Sequence, residues 1–329
     1  MTRETLARLI LGGLLAGALG LSLAAYGLAR RDVIEIHGRM AEAGGWTPAA
    51  LDATVGQPLR LRLVADDVVH GFAVGQMDWP AINLLPGRPV ETMLTFDRPG
   101  RYTFYCTRWC GLGHWRMRGV IEVAGPGAAA APAGPPLYVQ LGLDLDAPRP
   151  ASAAPLPEGR PSASRGAALA VEVPELGEPR GESPAAVWQA LRAQAANESF
   201  DDAELWEAVA WLWRSQTTPA ALAEGERLYA ANCAACHGEA GAGDGVFAPE
   251  LAHPAEHTQM GAGHQTQAPT AFTDPAGMLG VSPAVLHGKL IRGGMGTGMP
   301  AWGPVFTDAQ AWALIDYLWT FQFDYAASP

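Results

Sequence analysis

The sequence predicts a multidomain chain: one N-terminal transmembrane helix, then an all-β sandwich, then an all-α domain. Three features carry this prediction. Residues 9–29 form an uncharged apolar run, residues 33–123 hold short alternating segments broken by turns, and helical spacing takes over from Ser183. A chain of 329 residues has room for about two domains, and 49% hydrophobic residues supply material for real cores. The net charge of −11 speaks against nucleic-acid recognition, which needs a basic face. That charge is unevenly placed. Residues 33–123 balance nine acidic against nine arginine side chains, while residues 197–329 hold fifteen acidic and four basic ones.

Residues 1–31 read as a membrane anchor. The 21 residues of the apolar run, at about 1.5 Å rise each, just span a hydrocarbon core of roughly 30 Å. A cleaved signal peptide is the alternative, because Ser22-Leu23-Ala24 offers a small-x-small site. Arg3, Arg8, Arg30 and Arg31 flank the run on both sides, so charge leaves its orientation unassigned. Residues 32–124 read as a small antiparallel sandwich. Leu59, Leu61 and Leu63 alternate with Arg60 and Arg62, the period-two pattern of a half-buried strand. Residues 90–96, 101–106 and 119–123 are further short runs, set apart by turns such as Pro86-Gly87 and Arg98-Pro99-Gly100. Residues 125–182 are rich in Pro, Ala and Gly and read as a linker, in which 137–145 adds a short strand or a tether. Residues 183–216 and 217–329 are helical and contain an echo. Ser183-Pro184-Ala185, Phe200 to Trp206 and Leu212-Trp213 recur as Ser282-Pro283-Ala284, Phe306 to Trp312 and Leu318-Trp319. The first copy has no cysteine or histidine and is expected to pack against the second.

The four cysteines fall in two close pairs. Cys106-Thr107-Arg108-Trp109-Cys110-Gly111-Leu112-Gly113-His114-Trp115-Arg116-Met117 sets two thiols, an imidazole and a thioether on one loop after a strand. Such a soft-to-borderline set suits copper and not calcium or magnesium, and zinc has little use for a methionine. A mononuclear copper site needs one cysteine, so the second thiol points to two coppers bridged by both sulfurs. His70, at the end of an earlier strand, supplies another imidazole. A Cys106–Cys110 disulfide is the alternative, and it leaves the other ligand-type residues unexplained. The second pair lies in Cys233-Ala234-Ala235-Cys236-His237, a c-type haem attachment signature.

Val69-His70-Gly71-Phe72, Leu85-Pro86-Gly87-Arg88, Pro99-Gly100-Arg101-Tyr102 and the cysteine loop closely resemble the CuA cupredoxin domain of cytochrome c oxidase subunit II, over about residues 50–123. The resemblance implies a cupredoxin sandwich in which Cys106 and Cys110 bridge a binuclear copper centre. His70, His114 and Met117 would be terminal ligands, and the backbone carbonyl of Arg108 would complete the set. Two departures stand out. The family's main branch places a glutamate linked to a magnesium site where this chain has Arg108, and an acidic residue where it has Asn83. The single anchor resembles divergent oxidases and nitric oxide reductases of that family, and Trp109 resembles the CuA loop of nitrous oxide reductase.

Gly296-Thr297-Gly298-Met299-Pro300 and a final helix over 308–321 make the carboxy-terminal part similar to class I cytochrome c. This implies one haem c attached covalently through Cys233 and Cys236, with His237 and Met299 as axial ligands and Met295 as the alternative distal residue. Residues 183–216 are then a haem-less helical segment. The combination resembles subunit II of caa-type oxidases, which carry their own cytochrome c. It implies electron relay from an external donor, a soluble cytochrome c or similar one-electron carrier, through haem c and CuA to a catalytic haem–copper subunit in the membrane that reduces O₂. The chain itself would only transfer electrons, as a subunit of that oxidoreductase and translocase. The chain would cross the cell membrane once, with its amino terminus on the inner side and its domains on the periplasmic face. A nitric oxide reductase partner, a nitrous-oxide-reductase-type donor role, and a tethered shuttle without a catalytic partner are the alternatives. Trp109 and Trp115, which flank ligands, are candidate ports for incoming electrons. His253, His257 and His264 read as solvated loop residues.

Overall fold

A computed structural model describes residues 33–77, 79–111, 113–127, 134–147, 154–252, 268–294 and 298–326. The expected anchor, His253, His257, His264 and Met295 lie outside these residues. Among the described residues, no helix is long and apolar enough to cross a membrane. The chain divides into two compact units, with the main boundary near residue 130.

The first unit is a two-sheet sandwich. One sheet has β1 (Val33–Gly38), β2 (Trp46–Thr47), β4 (Leu59–Ala65) and β7 (Val90–Leu94) in the order β2-β1-β4-β7. The other has β3 (Ala50–Thr54), β5 (His70–Val74), β6 (Ile82–Leu84), β8 (Gly100–Tyr105) and β9 (Arg118–Ala124) in the order β3-β9-β8-β5-β6. The alternation in β4 works as read: Leu59, Leu61 and Leu63 are buried while Arg60 is exposed. The sandwich is mixed rather than antiparallel, since β1 pairs parallel with β4 and β3 parallel with β9. The chain leaves the first sheet after β2, runs as β3 in the second, and returns as β4 in the direction of β1. A period-two pattern reports which face is buried and is silent on strand direction. Ile36, Leu61, Leu63, Phe72, Phe104 and Ile121 form the dry core.

The second unit is helical. Its main helices are α1 (Pro184–Arg192), α2 (Asp202–Ser215), α3 (Pro219–Asn232), α4 (Ala234–His237), α5 (Pro283–Arg292) and α6 (Asp308–Leu318). The sequence echo is structural. Ser183 and Ser282 cap α1 and α5 through N–H groups three residues on, each with proline in the first turn. Asp201 with Glu204, and Thr307 with Gln310, form capping boxes at α2 and α6. Trp213 of the first copy meets Trp319 of the second edge-on, ring centres 5.9 Å apart. The C-terminal helix α6 packs against α3.

Two expectations for 125–182 are corrected. Leu137–Gln140 is a helical turn, not a strand, and beyond it the Asp146 carboxylate accepts two hydrogen bonds from Arg292 at 2.6 and 2.7 Å. The stretch from 154 is packed chain, not linker. Ala163–Ala167 is a helix laid against α2, the Trp206 indole donates to the Pro155 carbonyl at 2.8 Å, and buried Asn197 exchanges hydrogen bonds with the Glu172 backbone. Small residues that read as flexible here permit close packing.

His287, which the sequence left without a role, is 2% exposed. Its ring stacks on Trp312 at 4.1 Å, with Nε2 3.3 Å from Asp308 Oδ1. Burial lowers its pKa from the usual 6.5 against the opposing pull of Asp308, and the charge of Arg180 adds to the depression. The unfolded chain therefore takes up a proton more readily than the folded one. Unfolding free energy is expected to fall as pH drops below about 6.5, and His287→Gln to flatten that limb in denaturant titrations at stepped pH.

Candidate functional site

The sandwich presents a donor cluster at one end of the second sheet. β5 begins with His70, β8 delivers Cys106 just past its last residue, and β9 starts immediately after Met117. Between them the loop turns through Gly113 at φ 72°, a left-handed conformation that glycine adopts without strain, into a helical turn at His114–Arg116. The loop passes directly over Gly71, where a Cβ would collide with the Thr107 hydroxyl. Gly71 N–H donates to Cys106 Sγ at 3.4 Å.

The distances define a closed set. Cys106 Sγ and Cys110 Sγ are 3.9 Å apart, nearly twice the roughly 2.05 Å of a disulfide, and both thiols are free. His70 Nδ1 lies 3.8 Å from Cys106 Sγ and His114 Nδ1 3.6 Å from Cys110 Sγ. Met117 Sδ is 3.1 Å from Cys110 Sγ, and the Arg108 carbonyl oxygen 3.1 Å from Cys106 Sγ. Thus the fold gathers all six sequence-expected copper donors around one point. Cys106, Cys110, Met117 and His70 are each at most 6% exposed. A hydrogen bond with Cys110 brings the Cys106 thiol down to about 3, and the same shared proton pushes Cys110 up. One proton is thus shed readily, which is what a metal-binding sulfur pair requires.

Outer partners fix the imidazoles. Asp67 Oδ1 accepts from His70 Nε2 at 2.7 Å. A carboxylate accepts only, so Nε2 carries the proton and the Nδ1 lone pair faces the sulfurs. Burial works against the His70 cation, but its hydrogen bonds with Cys106 and Asp67 raise its pKa above the usual value. Asp67 is itself held by the N–H groups of Met40 and Val68. Replacing Asp67 with alanine is expected to weaken copper binding roughly 10–100-fold in chelator competition. The two sequence departures meet each other: Arg108 Nε donates to Asn83 Oδ1 at 2.7 Å. Trp109 lies 5.2 Å from the His114 ring and 6.4 Å from Trp115, so the tryptophans form a half-exposed pair beside one histidine.

The helical unit holds the second cluster. Cys233 ends α3, and α4 presents Cys236 and His237. Both thiols are free, and burial raises their pKa values to about 12 and about 11. His237 Nδ1 sits 3.0 Å from the Thr270 carbonyl. A carbonyl can only accept, so Nδ1 bears the proton and Nε2 keeps its lone pair. Burial holds the imidazole neutral, lowering its pKa against the pull of Thr270. The Phe272 ring stacks on His237 at 4.5 Å, and buried Gln322 pins the Phe272 carbonyl at 2.5 Å. Two reduced thiols beside a neutral imidazole with one free nitrogen fit covalent haem attachment. Met299 is half-buried, and its carbonyl accepts from Gly294 N–H at 3.1 Å. A Cβ on neighbouring Gly298 would push the tip of the Leu251 side chain aside. That leucine follows Phe247, whose N–H donates to Ala235 inside the cysteine motif at 3.1 Å.

Sequence reasoning missed Asp67, Thr270, Phe272 and Gln322. The last three act across long sequence separations, whereas the spacing of Asp67, three before His70, was a usable signal.

Comparison with known proteins agrees with this division. The family described as cytochrome c oxidase subunit II, periplasmic domain, matches residues 21–124. The family described as cytochrome c oxidase, cbb3-type, subunit III, matches residues 220–318. A cytochrome c oxidase subunit 2 of Thermus thermophilus is 36% identical over 84 residues, 26% of this chain and 62% of the relative. One from Synechocystis is 30% identical over 76 residues, 23% of each chain. The chain thus spans less than two thirds of the length of these relatives. Among solved structures, the periplasmic domain of subunit II of a Bradyrhizobium japonicum cytochrome oxidase is 21% identical, with a TM-score of 0.24, over 28% of this chain and 83% of that one. The chain therefore combines a subunit-II-type copper domain with a cytochrome c domain, which implies a binuclear copper centre and a covalent haem c.

Proposed function

We propose that this chain is the electron-relaying subunit of a haem–copper terminal oxidase. Residues 32–124 bind the copper pair through His70, Cys106, the Arg108 carbonyl, Cys110, His114 and Met117, and residues 217–329 bind haem c through Cys233, Cys236, His237 and Met299. The observation that carries the reading is the pair of unbridged sulfurs 3.9 Å apart inside a buried set of soft and borderline donors. Bound copper and haem supply reversible one-electron chemistry. The chain's own groups do the rest. Asp67 and Thr270 orient the ring nitrogens, and the burial of Cys106, Cys110 and Met117 excludes water.

Electrons would pass from an external one-electron donor through haem c to copper, and on to a catalytic membrane subunit that reduces O₂. Trp109 and Trp115 are the proposed port on the copper side. Residues 1–31 would anchor the chain with its amino terminus inside and its domains on the periplasmic face. The test is metal and haem analysis of the purified chain with EPR and visible spectra. Two coppers and one c-type haem per chain, with a mixed-valence copper signal, are expected. Iron alone, with Cys106 and Cys110 oxidised to each other, refutes the reading. Arg108, where the family's main branch has a glutamate, and the single expected anchor keep a second reading in which the partner reduces nitric oxide. Turnover of O₂ against NO by the co-purified complex separates the two.

A further inference from the structure

We infer that Trp46 is a positioning residue that fixes the Met117 thioether against the cysteine pair; the inference rests on the dicopper reading above. Trp46 stands in β2, 71 residues before Met117, and is 3% exposed. Its indole N–H donates to the Met117 carbonyl at 3.0 Å. The same carbonyl accepts from the Cys106 backbone N–H at 3.1 Å, while Met117 N–H donates to the His114 carbonyl at 3.0 Å. One main-chain oxygen therefore ties β2, the first cysteine and the thioether residue together. The indole ring also packs 6.0 Å from His70 and meets Phe72 edge-on at 5.6 Å. Gly38, its register partner on β1, makes space: a Cβ there would lie 2.7 Å from the ring.

A buried indole N–H needs an acceptor, and this one finds it on a ligand residue. A thioether is a weak copper ligand whose placement by the protein tunes the potential of the centre. Without the indole donor, the Met117 carbonyl keeps only Cys106, and the thioether is free to recede from Cys110. Donation from sulfur favours the oxidised centre, so its withdrawal raises the potential.

The experiment uses the full chain carrying haem and copper, with Trp46→Phe to keep a ring and delete the N–H. Two coppers per chain, a changed copper hyperfine pattern in EPR, a higher copper midpoint potential and an unchanged haem potential are expected. A lower Tm with wild-type hyperfine pattern and potential overturns the inference and leaves Trp46 as core. Should the variant not fold, the wild-type chain answers through nitrogen-15 NMR. The Trp46 indole N–H must carry a resonance shifted by the paramagnetic centre, and a resonance at its metal-free position overturns the inference. Metal stoichiometry of the wild type is read separately. If it lacks a copper pair, the proposed function falls and this inference with it.

Discussion

Cys106→Ser is expected to abolish the two-copper centre while leaving the sandwich folded and the haem spectrum intact. Cys106 Sγ is the hub of the cluster, with Cys110 Sγ, His70 Nδ1 and the Arg108 carbonyl all within 3.9 Å. A serine hydroxyl is a hard, weakly acidic donor that does not replace a soft thiolate bridge. It also lacks the ease of deprotonation that the hydrogen bond with Cys110 gives this thiol. Losing a bridging ligand should cost more than the roughly 10–100-fold in affinity that a changed outer partner costs. Copper should fall from two to at most one per chain, with loss of the mixed-valence EPR signal and of electron flow from haem to copper. Ile36, Leu61, Phe72 and Phe104 are untouched by the change, so far-ultraviolet circular dichroism should match wild type. Retention of two coppers and the mixed-valence signal refutes the bridging assignment.

What the sequence discloses follows the range of each interaction. Five of the six proposed copper donors are side chains or carbonyls on the one short loop from Cys106 to Met117, and Cys233, Cys236 and His237 are nearly contiguous. Their spacing is chemistry in itself. The residues that orient those donors come from elsewhere in the chain. Trp46 reaches Met117 from another strand, Thr270 reaches His237 across 33 residues, and Asn83 meets Arg108 across 25. No local pattern announces such pairings, because they exist only once the sheets and loops have assembled. The Pro/Ala/Gly-rich stretch shows the opposite error. Composition reports low intrinsic order, but Ala163 and Gly166 are buried against α2 because their small size lets backbones approach. The parallel pairing of β1 with β4 was hidden for a third reason: strand direction depends on which sheet the intervening chain visits.

Met299→His should test the haem assignment with the second large effect. The thioether attachments at Cys233 and Cys236 are unaffected, so haem content stays at one per chain. The iron, however, exchanges a thioether for a second imidazole, and its reduction potential should drop by a few tenths of a volt, within the roughly 0.8 V span that axial ligands command. The segment is built to tolerate the exchange. Gly294 N–H holds the residue 299 carbonyl at 3.1 Å, and Trp302 N–H donates to Leu290 at 3.0 Å, both through the backbone. The same substitution at Met295 should leave the potential at its wild-type value. If Met295→His lowers it and Met299→His does not, the distal assignment moves to Met295. With Met299 as ligand, the haem sits at a high potential suited to passing electrons to copper. Lowering it should make the haem harder for the external donor to reduce while making the onward step to copper more favourable. Donor oxidation by Met299→His should therefore slow even as transfer from pre-reduced haem to copper does not.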